Sequence, residues 1–132
     1  MAAKTYLVPI DFSPGSEAAV KYAVKLARRK KRKLLLLHIV PLVFNMGTVS
    51  AYLRSELEAL AKRIGLKASE HRLLVLERGE VAQAIVATAK KSGAEMIIMG
   101  GHGRSGWQQF ILGSVAERTV RAATCPVLVV KK

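Results

Sequence analysis

The stretch Lys33-Leu34-Leu35-Leu36-Leu37-His38-Ile39-Val40 (KLLLLHIV) is a nearly unbroken apolar run of strand length, closed by Pro41. An antiparallel strand with one wet face alternates apolar and polar residues. A run without that alternation reads as a parallel strand buried on both faces. On either side, helical periodicity takes over. Upstream, Ala18, Ala19, Tyr22, Ala23, Leu26 and Ala27 recur at helical spacing, which predicts a helix over Pro14–Lys31. It opens on Ser13 as a capping hydroxyl with Pro14 in the first position. Downstream, Leu53, Leu57, Leu60, Ala61 and Ile64 predict a helix over Val49–Ile64, stopped by Gly65.

The same alternation extends to both ends of the chain. Thr5–Ile10 reads as the first strand, His71–Leu76 as the third, Glu95–Met99 as the fourth and Val127–Val130 as the last. A helix over Glu80–Lys91 turns Val81, Ala84, Ile85, Thr88 and Ala89 inward and ends at Gly93, and another spans Leu112–Ala123. Strands and helices alternating at these lengths predict a single-domain, open five-stranded parallel sheet with helices on both faces, over residues 1–132. Ligands of such sheets bind beyond the carboxyl ends of the strands, where the strand order reverses. Asp11, His38 to Val40 and the residues after Met99 are all expected on that edge.

Composition agrees. Of 132 residues, 51% are hydrophobic and only 5% aromatic, so aliphatic side chains build the core. One cysteine, Cys125, allows no internal disulfide and points to a reducing compartment. No run approaches the roughly 20 apolar residues of a membrane span, and the reading is a cytoplasmic protein. Twenty-two Lys and Arg against 9 Asp and Glu leave a net charge of +13, which attracts polyanions without choosing among them. The densest tract, Arg28 to Lys33, falls at a helix C-terminus, where cations are favoured. It reads as a solvated face. With few aromatics and no recognised motif, nucleic acid is not an expected partner; an acidic protein partner is left open.

The chemistry concentrates after the fourth strand, in Gly100-Gly101-His102-Gly103-Arg104-Ser105-Gly106, followed by Gly113-Ser114 at the start of a helix. Glycines let backbone N–H groups approach a ligand, and a helix N-terminus adds partial positive charge, so phosphate fits. Gly101-His102-Gly103-Arg104-Ser105-Gly106 matches the dinucleotide fingerprint GxGxxG, but the acidic residue about 20 positions on that should hold the ribose is missing. The P-loop pattern is absent. His102 reads as a solvated loop residue, His38 and His71 as packing residues, and Cys125 as structural. No His, Cys and Asp cluster has metal-ligand spacing. Asp11 is a candidate cap for the first helix as well as a ligand contact, and Ser114 a candidate cap for the last.

Gly100, two residues, Gly103, nine residues, then Gly113-Ser114 resembles the phosphate and ribose loop of the ATP-binding branch of the universal stress protein family. Val8-Pro9-Ile10-Asp11-Phe12-Ser13, His38-Ile39-Val40, Gly79-Glu80, Leu112 to Glu117 and Cys125 to Val130 resemble further landmarks, in order along the whole chain. The resemblance implies a Rossmann-like fold of the adenine-nucleotide alpha hydrolase type. It also implies roles. Pro9 and Asp11 would line the adenine and ribose side, Ile39 would meet the adenine, and Met99 and Gly100 would flank the ribose. Gly103, Gly113, Ser114 and Val115 would wrap the phosphates of ATP, or of ADP or AMP, with Mg²⁺ carried in by the nucleotide. It implies a homodimer joined through Val127–Val130; a terminal apolar edge strand independently wants a partner. The function expected is an ATP-binding regulatory module. A slow ATPase, or a docking protein with a structural nucleotide and a basic interaction face, are the alternatives.

Overall fold

The computed structural model describes residues 4–40, 46–101 and 112–131. Five strands, β1 (Thr5–Pro9), β2 (Lys33–Val40), β3 (His71–Glu77), β4 (Met96–Gly100) and β5 (Val127–Val130), form one sheet in the order β3-β2-β1-β4-β5. Every pairing is parallel. The chain winds outward from β1 to β3, returns to the other side of β1 for β4, and ends on the edge at β5. The order therefore reverses between β1 and β4. Four helices connect the strands: α1 (Pro14–Lys30), α2 (Met46–Ile64), α3 (Val81–Ser92) and α4 (Ser114–Ala122).

The apolar run of β2 explains itself once its faces are separated. Leu34 and Leu36 point into one core with Tyr6, Val8 and Ile98 and with residues of α1 and α2. Leu35, Leu37 and Ile39 point into the other, with Leu7, Ile97 and Met99 and residues of α3 and α4. Successive side chains of a strand alternate faces, so a strand covered on both sides has no position left for a polar residue. The helices lie in two layers, α1 and α2 on one face and α3 and α4 on the other.

Local signals set the helix ends. Ser13 caps α1, its hydroxyl accepting from the N–H of Ser16, and Lys31 ends the helix in the left-handed region at φ 58°. Gly93, at φ 66°, ends α3 in the same way, with its N–H turned back on Ala89 and Lys90. Glu80 caps α3, its carboxylate accepting from the N–H groups of Ala82 and Gln83. Sequence expectations shift at this level: β1, α1, β3, α3 and β4 each move by one residue at one or both ends. Helix α2 starts three residues before Val49, and a short 3₁₀ turn over Ala68–Glu70 precedes β3.

Candidate functional site

Where the strand order reverses, the carboxyl ends of β2, β1 and β4 open onto a cavity of about 300 Å³. That size is at the lower end of the range for ligand pockets. Pro9 and Asp11 enter it from the end of β1, Ile39 from β2, Met99 and Gly100 from β4, and Gly113, Ser114 and Val115 from the start of α4. Eight of the nine expected site residues thus share one cavity although they span more than a hundred positions of sequence. The ninth, Gly103, lies outside the described residues, as do His102 and Arg104.

The wall on the β1 side is held by a braced turn. Asp11 accepts the N–H of Ser13 at 3.0 Å through Oδ1, and its own N–H reaches the Ser16 hydroxyl at 3.4 Å. Asp11 therefore does not cap α1; Ser13 does, and the Asp11 carboxylate fixes the backbone that presents Ser13. Phe12 takes the left-handed conformation at φ 64°, uncommon for a residue with a side chain. Its ring lies 4.9 Å from that of His38, tilted by 52°. His38 in turn sets Nδ1 2.7 Å from the carbonyl oxygen of Ile10. The histidine is the packing residue expected from the sequence, and it also lines the cavity.

On the opposite wall, helix α4 begins at Ser114 rather than Leu112. Gly113 is its N-cap, and among the described residues no side chain caps it. Ser114 is consequently the first helical residue and not the cap. The start follows from the backbone of Gly113, which is extended at ψ 160° and so not yet helical; its N–H is donated to the carbonyl of Gly101 at 2.6 Å. The N–H groups of Ser114, Val115 and Ala116 precede the first intrahelical bond, from Glu117 to Gly113, and all three residues line the cavity. An uncapped first turn is a ready anion site.

Gly100 is a glycine for a different reason. A Cβ there would stand 2.7 Å from both the carbonyl carbon and oxygen of Gly15 and 3.1 Å from the N of Ser16. The first turn of α1 packs directly on the end of β4, and nothing larger than hydrogen fits between them.

The floor is apolar, with Ile39 and Met99 from the strands and Val81 and Ile85 from α3. Val81 and Ile85 belong to the inward face of α3, but no spacing rule in sequence carries that face to this cavity. Gly101, from the glycine cluster, also lines it, as do Ser16, Leu37 and Ala116, which were not anticipated. Among the described residues, no Lys or Arg lines the cavity, so the features there that would favour an anion are backbone N–H groups and the α4 dipole.

A family model described as the universal stress protein family matches residues 3–131. A universal stress protein of Methanocaldococcus jannaschii is 32% identical over 140 residues, covering 98% of this chain and 82% of its own length. A solved universal stress protein in complex with cAMP superposes with a TM-score of 0.73 at 26% identity, covering 99% of this chain and 98% of that one. The fold is shared as well with the universal stress protein of Archaeoglobus fulgidus solved with dAMP, at a TM-score of 0.76 and 24% identity over 99% of this chain and 100% of that one.

Proposed function

The chain belongs to the universal stress protein family, and from that premise we propose that it is a regulatory module that binds an adenine nucleotide, ATP above all, in the cavity beyond β1, β2 and β4. The observation that carries this reading is the uncapped N-terminus of α4 facing an apolar floor across a single cavity. Each part of the nucleotide meets a matching chemistry. The base takes the floor of Ile39, Met99, Val81 and Ile85, and the Asp11 carboxylate accepts from ribose hydroxyls. Phosphates take the N–H groups of Ser114, Val115 and Ala116 and the Ser114 hydroxyl, with Gly103 and its loop completing the wrap. The cAMP-bound relative supports an adenine nucleotide as the class of ligand.

Magnesium, in this reading, arrives with the phosphates. No group of three His, Cys, Asp or Glu among the described residues could hold a metal ion, and Mg²⁺ commonly binds through phosphates and water. Nucleotide binding biases a homodimer formed by strand addition at β5, whose four residues are half-buried on the open edge of the sheet. The lone cysteine and the absence of a helix fit to cross a membrane, among the described residues, support a cytoplasmic setting.

The test is to denature freshly purified protein and identify what it releases by chromatography and mass spectrometry, then titrate the emptied protein with ATP, ADP, AMP and cAMP. Near one adenine nucleotide per chain, or saturable binding in the titration, is the expected result. Failure of all four to bind at millimolar concentration would overturn the proposal.

A further inference from the structure

The parallel topology does to the chain's cations what the sequence does not reveal. All helices run back from the cavity edge, so their C-termini arrive at the pole where the strands begin. Arg28, Arg29 and Lys30 occupy the last turn of α1, Lys62 and Arg63 that of α2, Lys90 and Lys91 that of α3, and Arg121 that of α4. The strand starts add Lys4, Lys33 and Arg72, on the neighbouring strands β1, β2 and β3. Register and contacts tie these segments together. Lys33 pairs with Thr5, its N–H reaches the Lys4 carbonyl at 3.2 Å, and Leu34 pairs with His71.

Little negative charge stands against them. Of the nine acidic residues, Glu70 and Glu95 lie in the segments that build this pole, and both are engaged, Glu70 with Arg28, Glu95 with Arg32 and Lys4; Glu17 and Glu117 reach the last-turn cations Arg63 and Arg121 from farther along their helices. Arg29, Lys30, Lys33, Lys62, Arg72, Lys90 and Lys91 are exposed and in no ion pair among the described residues. Helix C-termini favour cations, but one or two per helix satisfy that preference. It does not account for Lys4, Lys33 and Arg72.

We infer that this pole, remote from the cavity, is a docking surface for the phosphate backbone of a nucleic acid. The partner's chemistry follows from what the surface lacks. Of the exposed large apolar side chains among the described residues, Tyr22, Tyr52 and Leu112 lie outside the segments that form it, and Val120, in the last turn of α4, stands alone at this end. A protein interface concentrates its energy in buried aromatic and apolar anchors, and a membrane-inserting surface needs them too. A phosphate backbone asks only for cations, and binds by counterion release without reading sequence. The Arg28–Lys33 tract alone reads as a solvated helix end; it is the arrival of α2, α3 and three strand starts beside it that changes the reading.

Fluorescence anisotropy with one labelled oligonucleotide sequence, as single-stranded DNA, duplex DNA and RNA, tests this over a KCl series. Affinity for at least one form is expected to fall by about sixtyfold or more between roughly 50 and 200 mM salt. The variant Arg29→Gln/Lys30→Gln/Lys90→Gln/Lys91→Gln is expected to lose about tenfold in affinity and to lower the slope of log K against log salt by about 3. All four side chains are exposed, so circular dichroism should match the parent. The control Lys21→Gln/Arg78→Gln/Arg118→Gln/Lys131→Gln removes the same charge from the cavity half of the molecule and should change affinity little. The inference is overturned by absent binding to all three nucleic acids or by equal losses in the two variants. Tighter binding to polyglutamate or phosphatidylserine vesicles at matched charge overturns it too, in favour of an acidic protein or a membrane. Nucleotide occupancy of the cavity enters none of these readouts, so the proposed function stands or falls separately.

Discussion

Two glycines side by side at the end of β4 answer to different masters. A Cβ on Gly101 would meet a Val129 methyl at 3.2 Å, and a side chain can yield by a few tenths of an ångström. A Cβ on Gly100 would meet backbone atoms of Gly15 at 2.7 Å, which can yield only if the first turn of α1 moves. Overpacking of this kind costs about 1–3 kcal/mol. Gly100→Ala should therefore lower the urea midpoint clearly more than Gly101→Ala. It should also weaken ATP binding, because the displaced turn carries Ser16 into the cavity wall. Equal midpoints for the two variants would mean that α1 does not pack on Gly100 as described. The sequence marks both positions as glycine but cannot rank them, since Gly15 is far away along the chain.

Elements are stitched to one another by a few ion pairs, of which that between α1 and the 3₁₀ turn is the most elaborate. The Glu70 carboxylate accepts from Arg28 Nε at 2.8 Å, from Arg28 Nη2 at 3.0 Å and from the Lys67 N–H at 2.8 Å. Arg28 also donates to the carbonyl of Gly65 at 2.9 Å, tying α1 to the end of α2. The Arg28 hydrogen bonds, followed by the Lys67 backbone bond, hold the Glu70 carboxyl at about 2, well below its ordinary 4.5. On acidification the unfolded chain takes up this proton first, so the stabilisation is complete above about 4.5 and is lost as pH falls through about 2. Urea midpoints of the parent and of Glu70→Gln should differ most near neutral pH and converge on going down to pH 2. A gap that persists at low pH would show that the pair acts through shape and not charge. Helix and strand positions were legible to within a few residues because caps, stops and periodicity are local. The 3₁₀ turn, and the extra first turn of α2, follow no such local sign.

For the molecule as a whole, the cavity is an opening between layers that a ligand would bridge. It draws walls from β1, β2, β4, α3 and α4 together. A nucleotide bound there favours the folded state by RT ln(1 + [L]/Kd), about 2.7 kcal/mol at a hundredfold excess over Kd. ATP at that excess should raise the melting temperature by several degrees, and its removal by dialysis should reverse the shift. Chelating Mg²⁺ should reduce the gain from ATP and leave that from cAMP unchanged. A flat melting temperature across saturating ATP would contradict the assignment of ligand to this cavity. The opposite pole, built from helix ends and strand starts, would report its occupant through salt instead.

By itself the sequence determined the alternation of strands and helices, the parallel sheet and the edge onto which the cavity opens. These rest on local rules: residues buried on both faces lose their polar alternation, caps and glycines mark helix ends, and glycine-rich turns free N–H groups. Eight of the candidate residues picked out by its landmark motifs line one cavity. Only the tertiary structure decided which atoms press on Gly100. It made Gly113 and not Ser114 the cap of α4, brought Val81 and Ile85 of α3 to the cavity, and gathered scattered cations at one pole. Each of those depends on the order β3-β2-β1-β4-β5. Strand order is set by packing energy summed over the whole core, which no short window of residues contains.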